Sequence, residues 1–83
     1  MSGYDNPWSQ MTKLNNDGVA YWVKLRLFDG TVVEGPPLQH GGPWLLVDDH
    51  QHRTEKGRQT LDRVRVWVNR ASIISVEIEE LLG

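Results

Sequence analysis

VKLRLFDGTVVEG, residues 23–35, is the stretch of sequence that decides the fold. Its first half alternates apolar and charged residues, which is the period of a β-strand with one buried face. Asp29-Gly30 predicts a hairpin turn, because glycine adopts a positive φ without a steric penalty. β-branched residues follow, and Gly35 interrupts them, which indicates a bulge or a sharp bend. The stretch therefore predicts a bent β-hairpin.

Helix and strand signals continue on both sides of this hairpin. Asn6 and Pro7 suit the cap and first turn of a helix, and the turn-forming run Asn15–Gly18 ends it. We predict one helix over about residues 7–14 and five strands over about 19–28, 31–35, 43–48, 61–69 and 72–79. The polar stretch Asp48–Gln59 has no periodicity and is predicted to be a loop or the tip of a long hairpin.

The short chain limits what these strands can build. Its 83 residues form one domain at most, residues 1–83, with a thin core. Five short strands cannot form a well-covered open sandwich, so we predict a mostly-β, strongly bent five-stranded barrel with a short N-terminal helix. Cysteine is absent, so no disulfide can stabilise the fold, and self-association is expected instead.

The sequence shows neither a membrane-spanning segment nor a secretion signal. The longest apolar run, Trp44–Val47, is too short for a membrane helix, and Met1–Asp5 lacks the basic start of a secretion signal. Together with the absence of cysteine, this predicts a cytoplasmic protein with no membrane partner.

Two segments resemble the motifs of the Sm-like family, which includes the Sm and LSm proteins and the bacterial Sm-like RNA chaperone. Residues 23–35 are similar to the first motif, and Val66–Ile74 is similar to the second, an apolar strand, a polar turn and a final strand. The resemblance covers roughly residues 7–79. It implies a barrel of the Sm/SH3-like kind and a homo-oligomeric ring, in which the fourth strand of one copy pairs with the fifth strand of the next.

The resemblance does not extend to the family's uridine pocket. Gly41 and Leu45 stand where the family has a base-holding aspartate and asparagine, and Asn69-Arg70 replaces its Arg-Gly pair. Neither Gly41 nor Leu45 can make the required side-chain hydrogen bonds.

Aromatic and basic residues near the last turn form the candidate nucleic-acid site. Trp67 would stack on a base, Arg65 and Arg70 would neutralise phosphates, and Asn69 would offer an amide to a base edge. The alternative is that the four tryptophans fill the core and a subunit interface. For Trp22 and Trp44, which lie inside strand patterns, we expect a position in the core.

The sequence carries no pattern of catalysis, metal binding or cofactor binding. No serine has a nucleophile elbow around it, and no glycine-rich phosphate loop is present. His50 and His52, near Asp48 and Asp49, do not have a recognised ligand spacing. We therefore predict that the protein is not an enzyme and holds no metal or cofactor.

Two functional hypotheses remain open. One is an oligomeric Sm-like module that binds single-stranded RNA through a basic, aromatic rim. The other is a protein-interaction or scaffold module, such as an accessory protein of a phage or mobile element, which the net charge of −2 favours. A positive rim would favour the first hypothesis, and an apolar, uncharged patch would favour the second.

Overall fold

The described chain consists of one α-helix followed by strands that form two antiparallel sheets. The computed structural model describes residues 6–81, without the side chain of residue 53. The elements are α1 (Pro7–Asn16), β1 (Tyr21–Leu27), β2 (Val32–Gly35), β3 (Pro37–Gly41), β4 (Trp44–Glu55), β5 (Arg58–Asn69), a 3-10 turn (Arg70–Ser72) and β6 (Ile73–Glu80). The sheet orders are β2-β1-β6 and β3-β4-β5. The prediction of a mostly-β chain with a short N-terminal helix is confirmed.

Helix α1 begins as its sequence predicts. The Asn6 side chain accepts a hydrogen bond of 2.8 Å from the backbone N–H of Ser9, and Pro7 occupies the first turn. Met11 and Leu14 are buried on the inner face of the helix. Helix α1 continues to Asn16, two residues beyond the predicted end.

The core lies between the two sheets and α1. Strand β1 is the central strand of the first sheet, and its alternation directs Val23 and Leu25 inward and Lys24 and Arg26 outward. The buried apolar side chains are Met11, Leu14, Tyr21, Val23, Leu25, Val33, Leu45, Val47 and Val68.

The two sheets meet at the bend predicted at Gly35. A Cβ atom at this position would overlap the carbonyl oxygen of Asp48, so β4 can cross β2 only where glycine stands. The Asp48 N–H donates a 3.0 Å hydrogen bond to the Pro36 carbonyl, and the Asp49 carboxylate accepts one of 3.0 Å from the Glu34 N–H. These two bonds satisfy backbone groups that the bend removes from the ladder.

The predicted closed five-stranded barrel is not observed among the described residues. Strand β6 pairs with β1 alone, and β5 pairs with β4 alone, so the two sheets stay open on this side. The strand predicted over about 31–35 is present as β2, and β3, at Pro37–Gly41, is an additional strand that was not predicted. A strand with a proline is possible here because β3 is an outer strand of its sheet, where Pro37 does not interrupt hydrogen bonding on both sides.

The loop predicted over Asp48–Gln59 is wrong, and its alternative, a long hairpin, is correct. Strands β4 and β5 pair without interruption from Trp44 opposite Asn69 to Glu55 opposite Arg58. Lys56 and Gly57 form the turn with φ angles of 52° and 76°, the positive sign that tight hairpin turns require.

The last strand contains a β-bulge. The register between β1 and β6 shifts between Arg26 and Leu27, so Leu27 lies opposite Ile73 while Arg26 lies opposite Ser75. Ile73 consequently packs against the core, and Ile74 is left 68% exposed.

Candidate interaction surfaces

Within residues 6–81, β5 and β6 each have one edge that pairs with no other strand. Each of these strands has a ladder partner on one side only. Of the other outer strands, β2 contacts β4 at the bend, and β3 carries Pro37, which limits pairing on an edge. Neither β5 nor β6 contains a proline. These two edges are therefore open to pairing with a further strand.

An aromatic cleft lies on the outer face of the second sheet. Trp44 and Trp67, 44% and 50% exposed, line it together with Gly41, and its volume is about 450 Å³. Trp67 lies opposite Leu46, and Trp44 lies opposite Gly41. No charged residue lines this cleft, so it offers mainly the apolar surface of two indole rings to a ligand.

The structure divides the predicted nucleic-acid contacts between different places. Arg65 and Trp67 share the outer face of β5, two residues apart, and both are exposed. The Asn69 side chain instead caps the 3-10 turn by accepting a 2.9 Å hydrogen bond from the Ala71 N–H. Its amide oxygen is therefore already used within the chain.

Arg70 is held away from the aromatic cleft. Its guanidinium stacks on the ring of Trp8 at 4.5 Å from the centroid, and its backbone N–H donates a 2.8 Å bond to the Pro43 carbonyl. Arg70 lines an open groove of about 740 Å³ along α1, which Lys13 also lines. The four predicted contact residues therefore do not form one site in a single copy of the chain.

A charged cluster supports the base of the β4–β5 hairpin. The Arg63 guanidinium donates two hydrogen bonds, of 2.7 and 3.2 Å, to one oxygen of the buried Asp48 carboxylate. These bonds lower the pKa of Asp48 below its ordinary value, although burial acts in the opposite direction. The His50 ring lies 3.6 Å from the same oxygen and packs edge-on against Trp22, with ring centroids 4.6 Å apart.

The histidines do not form a metal site in the described part of the chain, where no three acidic or histidine side chains come together to hold an ion. His50 is half-buried against Trp22, whereas His52 is exposed on the hairpin. Burial, with the nearby charge of Arg70, lowers the pKa of His40 below its ordinary value.

Sequence reasoning placed two tryptophans wrongly. Trp44 and Trp22 were expected in the core, but Trp44 is exposed and Trp22 is half-buried on the outer face of β1. The alternation along β4 could have shown this for Trp44: Leu45 and Val47 face the core, so Trp44 must face outward. The apolar Leu46, which shares its face with Trp44, hid this alternation.

Over residues 6–81, no helix has both the length and the apolar character needed to cross a membrane. Comparison of the chain with protein-family models, curated proteins and solved structures finds no match.

Proposed function

We propose that the chain is a non-enzymatic, Sm-like interaction module that assembles with copies of itself through β5 and β6. The observation that carries this proposal is the pair of open edges, one at the end of each sheet. A small sheet with two unprotected edges either covers them or extends another sheet. Because one edge belongs to each sheet, joining β5 to β6 of the next copy repeats head to tail and can close into a ring.

The order of the elements supports the Sm/SH3-like part of the proposal. A helix precedes the strands, the first and last strands pair with each other, and the ribbon between them bends from one sheet into the other at Gly35. The side left open between β5 and β6 is the side that a neighbouring copy would occupy.

The cleft supports protein interaction as the role of the assembly. Its lining is Trp44, Trp67 and Gly41, with no charged side chain, and the chain carries a net charge of −2. Tryptophan is enriched at protein interfaces, where a large rigid ring contributes much contact area at a small entropic cost.

The molar mass in solution tests the assembly. We expect light scattering to give several times the 9.5 kDa of one chain. Val64→Lys should reduce the mass toward that of one chain, because it places a charge on the apolar face of the open edge of β5.

Leu38→Lys is the matched control for this experiment. Leu38 is an exposed apolar residue on β3, next to Pro37, and its replacement should leave the mass unchanged. A wild-type mass of 9.5 kDa at all concentrations up to about 1 mM, a range that covers weak association, would contradict the proposed function.

Single-stranded RNA is the second candidate ligand, and the exposure of Trp67 beside Arg65 favours it. A ring that stacks on a base contributes about 1–3 kcal/mol, so Trp67→Ala should weaken binding about fivefold to a hundredfold. Fluorescence anisotropy with oligo-U and oligo-A at low and high salt would measure this. Absence of binding at low salt would exclude RNA as the ligand.

A further inference from the structure

The open edge of β5 presents basic residues on one face and apolar residues on the other. Val66 lies opposite the buried Val47, so it faces the core, and Val64 follows the same alternation with 44% of its surface exposed. Arg65 points to the outer face, beside Trp67. Arg65 has no ion-pair partner among the described residues.

The open edge of β6 has the same alternation with the opposite charge. Val76 and Ile78 face the core and are partly buried. Glu77 and Glu79 are exposed on the outer face, and neither carboxylate has an ion-pair partner among the described residues. The two edges therefore match each other in polarity and in charge.

We propose, resting on the self-association proposed above, that β5 of one copy pairs antiparallel with β6 of a second copy in the register that sets Arg65 opposite Glu77. This register continues over five residues of each strand. The facing pairs are Trp67 with Ser75, Val66 with Val76, Arg65 with Glu77, Val64 with Ile78, and Arg63 with Glu79. Apolar residues thus face apolar residues toward the core side, and each arginine faces a glutamate on the outer side.

Other registers lose this correspondence. A shift of one residue puts the valines of β5 opposite the glutamates of β6, on the wrong face of the sheet. A shift of two residues leaves only one arginine opposite a glutamate: either Arg65 faces Ser75, or Arg63 lies beyond the last glutamate of the pairing face. Parallel pairing through Arg65 and Glu77 also leaves only one ion pair, because Arg63 then faces Ser75.

The two faces of this ladder have different roles. Burial of Val64 and its apolar neighbours supplies affinity, since the hydrophobic effect grows with the area removed from water. The exposed ion pairs supply less affinity, but like charges placed directly opposite destabilise a ladder, so the pairs select register and partner. Arg63 contributes less than Arg65, because its guanidinium already binds Asp48.

Charge reversal tests the register. Arg65→Glu and Glu77→Arg each place like charges opposite each other, and each should raise the dissociation constant of the assembly about tenfold or more. Light scattering over a concentration series measures this constant, and circular dichroism shows that each variant is folded.

Mixing the two single variants is the decisive arm. In an alternating assembly of Arg65→Glu and Glu77→Arg copies that is open or has an even number of copies, every interface again pairs an acid with a base, so the equimolar mixture should assemble far more tightly than either variant alone. The double variant R65E/E77R should also assemble alone. As a control, Arg58→Glu at the hairpin tip lies outside the ladder and should leave assembly unchanged.

The outcomes separate this register from self-association itself. A monomeric wild type overturns the proposed assembly. An oligomeric wild type whose single variants assemble equally well overturns the register and leaves the assembly in place. Weakened single variants that neither mixing nor the double substitution restores also overturn the register.

Discussion

Gly35 is the residue at which the two sheets come into contact. Its lack of a side chain lets the backbone of β4 pass directly over β2, next to the carbonyl oxygen of Asp48. An alanine at this position would force the two strands apart, because the obstacle is backbone and cannot rotate away. We expect Gly35→Ala to lower the free energy of unfolding by about 3 kcal/mol, a large effect for a single methyl group.

Urea denaturation followed by tryptophan fluorescence would measure this change. Gly41→Ala is the control: its Cβ would meet only the ring of Trp67, at an ordinary contact distance of 3.9 Å. That variant should change the free energy of unfolding by less than about 1 kcal/mol. Equal stability of the two variants would show that the crossing at Gly35 is not tight.

At the scale of the elements, strands whose two faces differ in polarity could be predicted from the sequence. Val23–Leu27 alternates apolar and charged residues, and β1 occupies that stretch with the predicted face buried. The bend at Gly35 was also predictable, because a glycine inside a run of β-branched residues usually marks a bend, a bulge or the close approach of another backbone. Both signals are local and depend on neighbours within a few residues.

The elements that were missed depend on partners distant in the chain. The polar residues 51–55 and 58–60 form strands only because β4 and β5 pair with each other beyond the core, where the described side chains are exposed on both faces and no alternation is selected. Strand β3 was missed because its proline, Pro37, is tolerated only at the edge of a sheet, and edge position is a property of the topology.

The candidate site was predictable to a similar extent. The exposure of Trp67 beside Arg65 could be read from the alternation of β5, and the structure places both on the outer face. The engagement of Arg70 with Trp8 could not, because these residues are 62 positions apart in the chain and meet only where α1 packs near the 3-10 turn and β6. The alternation of a strand thus predicts which neighbouring residues share a face, but it does not predict that Arg70 is engaged by a residue of the helix.

At the scale of the whole molecule, folding and assembly should be coupled. A chain of 83 residues has a thin core, and in a single copy the edges of β5 and β6 leave apolar side chains such as Val64 and Ile74 in water. An assembly that only the folded chain can join stabilises that chain by mass action. The melting temperature is therefore expected to rise with protein concentration.

The rise should be roughly 10–20 °C once the concentration exceeds the dissociation constant about a hundredfold, because that excess stabilises the folded chain by about 2.7 kcal/mol. Scanning calorimetry over a hundredfold range of concentration would measure it. Val64→Lys should remove the concentration dependence and melt at the temperature of the dilute wild type, whereas Leu38→Lys should retain it. A wild-type melting temperature that is constant over this range would mean that the two open edges stay unpaired in solution, and that the core between the sheets stabilises one copy without help from a neighbour.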